Sequence, residues 1–346
     1  MMQLMFPALL PLRFEPILRP MLWGGNRLSE FFKGAPTAEP IGEAWLLSDE
    51  GVQLSKVADG PFQGRTLREL LQHFGPRLLG QSLPAQARFP LLLKIIHAER
   101  ALSIQVHPND EQAACRHANG QGKTEGWVVL HAEPGAKVYA GLKPGVDCGL
   151  LEQAVRENRV AEMLHVIEPQ AGDAFFLPAG TLHAIGAGLL LFEIQQTSDI
   201  TYRLYDWDRI DPKTGLPRPL HIAEALECTD FQAGPVFPVL PMQETPNRER
   251  LFSCPFFRLW RIRSQGRFRL GAKGECRIVV ALQGQAELQF ERQTFLISRG
   301  SLLLLPAEVG ACDCKPLGDM VVLEAAMGAV SDRGPESESS PRHTAR

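Results

Sequence analysis

The stretch "GDAFFLPAGTLHAIG", from Gly172 to Gly186, decides the predicted fold. It begins with a glycine, continues through five residues to Pro178, and then places Gly180 and His183 at short intervals. An apolar run enclosed by glycine and proline is typical of a β-strand between two turns. A second segment, "GSLLLLPAEVG" (300–310), repeats the order of Gly, five residues and Pro. We therefore predict two related β-domains.

The rest of the chain also favours strands over helices. Helical periodicity is confined to residues 66–80, 149–167 and 220–228. Many short strands with few helices predict a mainly β fold, a sandwich or jelly roll with a few accessory helices. The predicted strands are "GWVVLHA" (126–132), "AKVYAGL" (136–142), "DAFFLPA" (173–179), "LLLFEIQQ" (189–196), "CRIVVALQG" (276–284), "QAELQFE" (285–291) and "SLLLLPA" (301–307).

Composition along the chain predicts where the two domains divide. Residues 231–250 are rich in proline and polar residues, which indicates a linker, and the strand pattern resumes after them. We expect a first domain at 1–235 and a second at 236–330. Residues 331–346 lack apolar anchors and predict a disordered tail.

The overall composition excludes several classes of protein. The 346 residues are 45% hydrophobic with a formal net charge of −3, so nothing indicates binding to nucleic acid or to an anionic membrane. No apolar stretch is long enough to span a bilayer, and Pro7, Pro11 and Arg13 interrupt the N-terminal run, unlike a signal peptide. Seven cysteines without a CxxC pair favour a reducing compartment. We expect a cytoplasmic monomer or homodimer.

A second informative stretch is "ALSIQVHPND" (101–110), which follows one of the most apolar runs of the chain. On a β-strand, residues two apart point to the same face. Ser103, Gln105 and His107 therefore share one face, and the apolar residues between them share the other. We predict that the apolar face packs into a sandwich and that the polar face lines a site.

Two lysines near this stretch have open interpretations. Lys94 lies within "LLLKII", where it needs an anionic partner or a water-filled pocket unless it reaches solvent from an edge strand. Lys123 and Glu125, two residues apart in "GKTEGW", form a surface ion pair in the simpler interpretation. Neither pattern alone identifies a functional site.

The spacing around His183 matches the second sequence motif of cupins, small β-barrels in which the motif histidine is a metal ligand. Together Gln105, His107, Glu125 and His183 offer two imidazoles, one carboxylate and one amide oxygen. Two histidines and a carboxylate with positions left open are typical of a catalytic metal site. Zinc fits these donors, and Fe(II) or Mn(II) remain open on ligand type alone.

Six blocks of the sequence are informative together: "LWGGNRL" (22–28), "IGEAWLLSD" (41–49), "LLLKIIHAERALSIQVHPND" (91–110), "GKTEGW" (122–127), "GDAFFLPAGTLHAIGAG" (172–188) and "LLLFEIQQTSDITYRLYDWDR" (189–209). In the order and spacing of these blocks the chain resembles the type I mannose-6-phosphate isomerases, in the shorter bacterial form that lacks a large helical insertion. The resemblance implies two cupin-type jelly-roll β-barrels and one zinc ion per chain, bound by Gln105, His107, Glu125 and His183. The chain departs from the general cupin pattern in lacking HxH and in the long gap between His107 and Glu125, as this family does.

The resemblance is weaker beyond Pro219. The second half keeps Gly300 and Pro306 but has no histidine where His183 would fall. The resemblance therefore implies a second, metal-free cupin-like domain.

The resemblance also implies a reaction, the interconversion of mannose 6-phosphate and fructose 6-phosphate through an enediol(ate). This reaction needs a positive centre for the oxyanion, a base close to both carbons and an anchor for phosphate. Glu193, Asp199 and Arg203 match the family's active-site acids and arginine, and the choice of base between the two acids stays open. Arg203 stabilises the enediolate or holds phosphate. We expect Lys94, Ser103, Lys123 and Trp23 to lie around the sugar phosphate. Lys123 could also transfer protons. For Trp23, the alternative is a core position.

Two other functions use a similar fold. A metal-dependent cupin oxygenase would use the same ligands with Fe(II), but it would not need a group of cationic side chains around the metal. A non-catalytic sugar-phosphate-binding cupin would keep the fold and lose metal ligands, whereas all four candidates are present here.

Overall fold

The computed structural model describes residues 7–32, 39–80 and 88–328. The predicted tail at 331–346 lies outside the described residues. No helix within these ranges is long and apolar enough to cross a membrane.

The first part of the chain contains most of the strands that build the site. In chain order they are β1 (Leu12–Arg13), β2 (Ile17–Gly25), β3 (Ile41–Leu47), β4 (Asp49–Glu50), β5 (Gln53–Leu54), β6 (Leu91–Ala98), β7 (Ile104–Val106), β8 (Glu125–Ala132), β9 (Val138–Leu142), β10 (Leu164–Ile167), β11 (Ala174–Leu177), β12 (His183–Ile185), β13 (Leu189–Gln196) and β14 (Tyr202–Tyr205).

The later strands form the second half. They are β15 (Met242–Thr245), β16 (Arg248–Ser253), β17 (Phe257–Ser264), β18 (Phe268–Leu270), β19 (Arg277–Gln283), β20 (Gln285–Phe290), β21 (Gln293–Ser298), β22 (Leu302–Leu305), β23 (Cys312–Pro316) and β24 (Met320–Met327).

The helices are short and lie between strands. They are α1 (Arg27–Phe31), α2 (Leu67–Phe74), α3 (Pro76–Leu79), α4 (Asp110–Arg116), α5 (Cys148–Arg156) and α6 (Ile222–Cys228), with 3₁₀ turns at Gly60–Phe62 and Val160–Met163.

Each half is a sandwich of two antiparallel sheets. In the first, the six-stranded sheet β11-β8-β13-β6-β3-β2 faces the five-stranded sheet β10-β9-β12-β7-β14 across an apolar core that includes Trp127 and Phe175. In the second, the seven-stranded sheet β1-β22-β19-β24-β17-β16-β15 faces the four-stranded sheet β18-β23-β20-β21. The mainly β, jelly-roll prediction is confirmed, although the sheets are open sandwiches and not closed barrels.

The two sandwiches share a third apolar layer. The outer face of the six-stranded sheet, with Ile95 and Phe192, packs with residues of the seven-stranded sheet such as Leu259 and Ile278. In addition, β1 at the start of the chain pairs with β22 near its end. The division into 1–235 and 236–330 therefore stays a prediction, since one continuous core includes residues from both ranges.

The predicted strands are confirmed, and the helices are confirmed in part. The helix predicted at 66–80 is α2 and α3, with a capping box at Thr66 and an interruption at Gly75, where φ is +43°. The helix predicted at 149–167 is wrong beyond Arg156, because Asn158 adopts a left-handed φ of 55° that ends α5, and residues 164–167 form β10. The predicted linker at 231–250 is also partly wrong, since it contains β15 and the start of β16.

Candidate active site

Neighbouring strands of the five-stranded sheet align three predicted site residues. His183 on β12 is the register partner of Gln105 on β7, and Gln105 is in turn the partner of Arg203 on β14. Adjacent strands lie about 4.8 Å apart, so the three side chains form a row across the sheet. Gly180, with φ of +87°, makes the turn before β12 and donates its backbone N–H to the carbonyl of His107 at 2.8 Å. The predicted motif therefore holds His183 beside His107.

Glu125 completes a cluster of metal-capable groups from the facing sheet. Its Oε1 lies 3.2 Å from His183 Nε2, and its Oε2 lies 3.5 Å from His107 Nε2. The ligand atoms of these three buried residues all lie within 4.8 Å of one another. His107 Nδ1 lies 2.8 Å from the carbonyl oxygen of Ile200, and His183 Nδ1 lies 2.8 Å from the carbonyl oxygen of Thr181. Donation from Nδ1 leaves each Nε2 lone pair directed at the cluster.

Two polar atoms of this cluster lack a hydrogen-bond partner among the described residues. Glu125 Oε1 and His183 Nε2 are both buried in this state. Burial of unsatisfied acceptors is costly, and a bound divalent cation satisfies such a set of nitrogen and oxygen donors. Burial lowers the pKa of His183 to about 4 and that of His107 well below its ordinary value, so both imidazoles are held neutral, the form that binds metal. The residues thus fit a metal ion.

Gln105 lies at the edge of this cluster. Its Nε2 is 3.4 Å from His107 Nε2, and its Oε1 accepts a hydrogen bond from Ser103 Oγ at 3.0 Å. An amide rotated by 180° would present Oε1 to the cluster and Nε2 to the Ser103 hydroxyl, which both donates and accepts. The role of Gln105 as a ligand stays a prediction. Ser103 is buried beneath Gln105 and is not among the residues that line the cavity described below.

Lys123 reaches the same cluster. Its Nζ lies 2.8 Å from Glu125 Oε2 and 3.0 Å from His107 Nε2. The side chains of Lys123 and Glu125 are 4% and 1% exposed, so the surface-pair interpretation of "GKTEGW" is wrong. The pair lies at the start of β8, against His107 from the end of β7.

Lys94 has the anionic partner that its apolar surroundings require. Its Nζ lies 2.9 Å from Glu193 Oε1, and the indole Nε1 of Trp127 donates to Glu193 Oε2 at 3.0 Å. Burial alone would raise the pKa of Glu193, but Lys94 and Lys123, together with these hydrogen bonds, lower it to about 2. Burial alone would lower the pKa of Lys94, whereas the nearby carboxylates, Glu193 foremost, raise it. The edge-strand interpretation of Lys94 is wrong, since β6 lies between β13 and β3.

A cavity of about 730 Å³ opens over these residues. Asp199 lies at this cavity with half of its side chain exposed, 3.8 Å from the guanidinium of Arg19. His107 and Glu125 lie behind the wall. Of the predicted site residues, those that line the cavity are Trp23, Lys94, Gln105, Lys123, His183, Glu193, Asp199 and Arg203.

One part of this cavity wall is formed by residues that were not predicted as site residues. Arg209 and Arg218 both line the cavity and both pair with the buried carboxylate of Asp206. Asp206 and Arg218 are twelve residues apart in a loop without strand or helix periodicity, so their contact could not be inferred. The only signal was that Asp206 and Arg209 fall within the matching block "YDWDR".

A buried cluster of two histidines and a carboxylate, beneath a cavity lined by several lysines and arginines, is the arrangement of a cupin with a candidate metal site. Residues 12–126 match the family model described as "Phosphomannose isomerase type I, catalytic domain". Mannose-6-phosphate isomerase ManA of Bacillus subtilis (strain 168) is 32% identical over 321 residues, which cover 90% of this chain and 98% of that protein. The chain belongs to the type I mannose-6-phosphate isomerase family.

Two further comparisons agree with this assignment. The mannose-6-phosphate isomerase of Streptococcus mutans is 34% identical over 300 residues, which cover 86% of this chain and 92% of that protein. The crystal structure of the mannose 6-phosphate isomerase from Bacillus subtilis superposes with a TM-score of 0.84 at 28% identity, over 91% of this chain and 99% of that one. The similarity therefore extends through both sandwiches.

Proposed function

We propose that this chain interconverts mannose 6-phosphate and fructose 6-phosphate as an aldose–ketose isomerase. The observation that carries the proposal is the buried His107–Glu125–His183 cluster beneath a cavity lined by Lys94, Lys123 and Arg203. Relatives named mannose-6-phosphate isomerase, similar over nearly their whole length, support the same activity.

The proposed cofactor is one Zn(II) ion per chain, held by His107, Glu125, His183 and Gln105. Two imidazoles, one carboxylate and one weak amide are donors that suit zinc. When bound, the ion supplies Lewis-acid polarisation of a sugar oxygen near the reacting carbons.

The chain's own residues divide the remaining work. Arg203, in register with Gln105, is proposed to stabilise the negative charge that develops on the enediolate oxygen. Asp199 is the better candidate for the base that moves the proton between C2 and C1, because its carboxylate lies at the cavity and its ion pair is long. Glu193 has both oxygens engaged and a pKa of about 2, so we propose that it orients Lys94.

Four other predicted residues keep supporting roles in this proposal. Lys94 and Trp23 line the cavity and are proposed to contact the sugar. Lys123 is proposed to carry a proton between the two sugar oxygens, because its ammonium lies against the metal-capable atoms. Ser103 is proposed to orient Gln105.

A coupled assay for fructose 6-phosphate, run with and without a chelator, tests the function. We expect turnover of mannose 6-phosphate that a chelator abolishes and Zn(II) restores. Oxygen consumption with Fe(II) and no isomerisation would favour the oxygenase. Binding of mannose 6-phosphate without turnover, in protein loaded with metal, would favour the non-catalytic cupin.

We also propose a cytoplasmic location and a monomeric or homodimeric state. Cys115, Cys148, Cys228, Cys276, Cys312 and Cys314 form no disulfide in the described ranges, which supports a reducing compartment. Light scattering on purified protein measures the oligomeric state.

A further inference from the structure

A buried carboxylate organises one wall of the cavity. The Asp206 side chain is 6% exposed and accepts hydrogen bonds from two guanidinium groups, those of Arg209 and Arg218. Arg218 forms the stronger geometry, with Nε 2.8 Å from Oδ2 and Nη2 2.5 Å from Oδ1. Such a two-point contact fixes the plane of a guanidinium as well as its position.

The backbone around Arg218 limits its motion further. Arg218 stands between Pro217 and Pro219, the carbonyl of Pro219 accepts a hydrogen bond from Arg203 Nη1 at 2.8 Å, and Pro217 bridges to Ile210. Proline fixes φ and reduces the freedom of the chain on either side. The guanidinium also lies 5.1 Å from the centre of the Trp23 ring, which lines the same cavity. Arg218 is therefore rigidly presented to the cavity.

Two of the arginines retain hydrogen-bonding capacity. Arg218 uses Nε and Nη2 on Asp206, and no hydrogen bond to a described residue involves its Nη1. Arg203 Nε is buried without a hydrogen-bond partner among the described residues. Arg209, in contrast, has a structural role, because it donates hydrogen bonds to Asp206 and to the backbone carbonyl of Ala101. Arg218 and Arg203 thus remain to bind a ligand.

The charges at this wall are unbalanced. The guanidinium groups of Arg203, Arg209 and Arg218 face one carboxylate, that of Asp206. This group of side chains therefore carries two more positive charges than negative charges. Burial lowers the pKa of Arg203, and repulsion from Arg218 and then Arg209 lowers it further against the attraction of Asp206. A phosphate monoester carries a charge of about −1.5 to −2 at neutral pH, which matches this surplus.

We propose that Arg218 binds the phosphate group of the substrate and that Asp206 is the positioning residue that holds Arg218 for it. The proposal rests on the isomerase function proposed above. Arg203 is the register partner of Gln105 and so lies beside the metal-capable cluster, where the reacting carbons belong. Arg218 is held by the loop after β14, over the ring of Trp23. In this proposal, different arginines recognise the two ends of an open-chain sugar phosphate.

The competing explanation is that Arg218 and Asp206 only tie the loop to the sandwich. Steady-state kinetics on Arg218→Met and Arg218→Lys separate the two explanations. We expect both variants to raise KM for mannose 6-phosphate about tenfold or more, with kcat little changed, because a charge-assisted contact to phosphate is lost or loses its fork. Turnover of mannose, which lacks the phosphate, should not change.

Inorganic phosphate provides a readout that does not depend on turnover. We expect it to inhibit the wild-type protein competitively and to raise its melting temperature. In Arg218→Met and in Asp206→Asn, we expect the inhibition constant of phosphate to rise about tenfold or more and the shift in melting temperature to become smaller. Lys213→Met is the matched control, since Lys213 lines the same cavity but is exposed and paired with Glu39. It removes one positive charge and should leave KM and phosphate inhibition unchanged.

The outcomes distinguish this proposal from the proposed function. Unchanged KM and unchanged phosphate inhibition in Arg218→Met, in protein of normal circular dichroism and metal content, would overturn the phosphate site. An equal weakening in Lys213→Met would also overturn it, because general electrostatic attraction would then explain the effect. Wild-type protein that binds phosphate through Arg218 but does not isomerise mannose 6-phosphate would support the site and contradict the function.

Discussion

Lys94 and Glu193 face each other as register partners on β6 and β13, with Nζ 2.9 Å from Oε1 in an interior that exposes less than 5% of either side chain. The Trp45 ring lies 5.2 Å from the same ammonium, and Trp127 donates to the same carboxylate. Each charge is thus kept ionised by the other at the edge of the cavity. The pair is a fixed dipole beside the proposed reaction centre.

The first prediction concerns the coupling of this pair. Lys94→Met or Glu193→Gln alone leaves an uncompensated buried charge, so each should lower the free energy of unfolding by about 3–5 kcal/mol. The double variant should lose clearly less than the sum of the two. Urea unfolding of the four proteins measures the coupling. Simple additivity would contradict a direct interaction.

The second prediction is the acid dependence of stability. The pKa of Glu193 in the folded protein is about 2, below its ordinary value of 4.5, so the folded state binds fewer protons than the unfolded state between these values. The stabilisation is fully present above pH 4.5 and is lost as the pH falls towards 2, by roughly 2–3 kcal/mol. The urea midpoint should therefore fall more between pH 6 and pH 3 for the wild type than for the double variant Lys94→Met/Glu193→Gln. Equal losses would assign the acid sensitivity to other groups.

The sequence predicted the residues of the metal-capable cluster but not the contacts that hold them. Two-residue periodicity placed Gln105 and His107 on one face, and the glycine–proline spacing identified His183 as a candidate ligand, which the structure places at the start of β12. Glu125 was joined to them by its donor type and by the family resemblance, and no local spacing does so, because its strand belongs to the facing sheet. Local pattern identifies the face of a strand, and it does not identify which strand lies opposite.

The same limit explains what the sequence missed. Lys94 and Glu193 are paired by the register of two strands that are distant in the chain, and no periodicity encodes that register. Asp206 and Arg218 meet through a loop, where side-chain direction follows no period. The local pattern alone favoured a surface position for Lys123 and Glu125, because burial of a charged pair depends on what covers it, which is a property of the tertiary structure.

The third prediction tests the apolar layer shared by the two sandwiches. Phe257 on β17 is fully buried, and its ring centre lies 6.2 Å from that of Phe176 on β11 and 6.4 Å from that of Phe252. Phe257→Ala should cost about 3–5 kcal/mol and keep a single unfolding transition, since both sandwiches lose packing together. Leu296→Ala, an exposed position on β21, is the control and should change stability by less than about 0.5 kcal/mol. Two separate transitions in calorimetry would favour independent domains divided near residue 235.

The fourth prediction is metal dependence. His183→Ala and Glu125→Ala should each lose bound zinc and activity, because each removes one of three strong ligands. Gln105→Ala should weaken zinc binding less, since a neutral amide is the weakest ligand of the set. Elemental analysis of purified variants, together with activity after chelation and zinc addition, measures both effects. A metal-free preparation with full activity would exclude a catalytic metal.

The last prediction assigns Arg203 to the reacting end of the substrate. A guanidinium does not bind a cation, so Arg203→Lys should keep zinc and fold. The lysine retains the charge and loses the planar fork, and we expect kcat to fall about a hundredfold, the scale of losing one oriented donor to an oxyanion. If Arg203 acts on the enediolate, kcat falls with little change in KM, which is the opposite of the pattern expected for Arg218. A rise in KM with normal kcat would move Arg203 to the phosphate, and normal values of both would remove it from the active site.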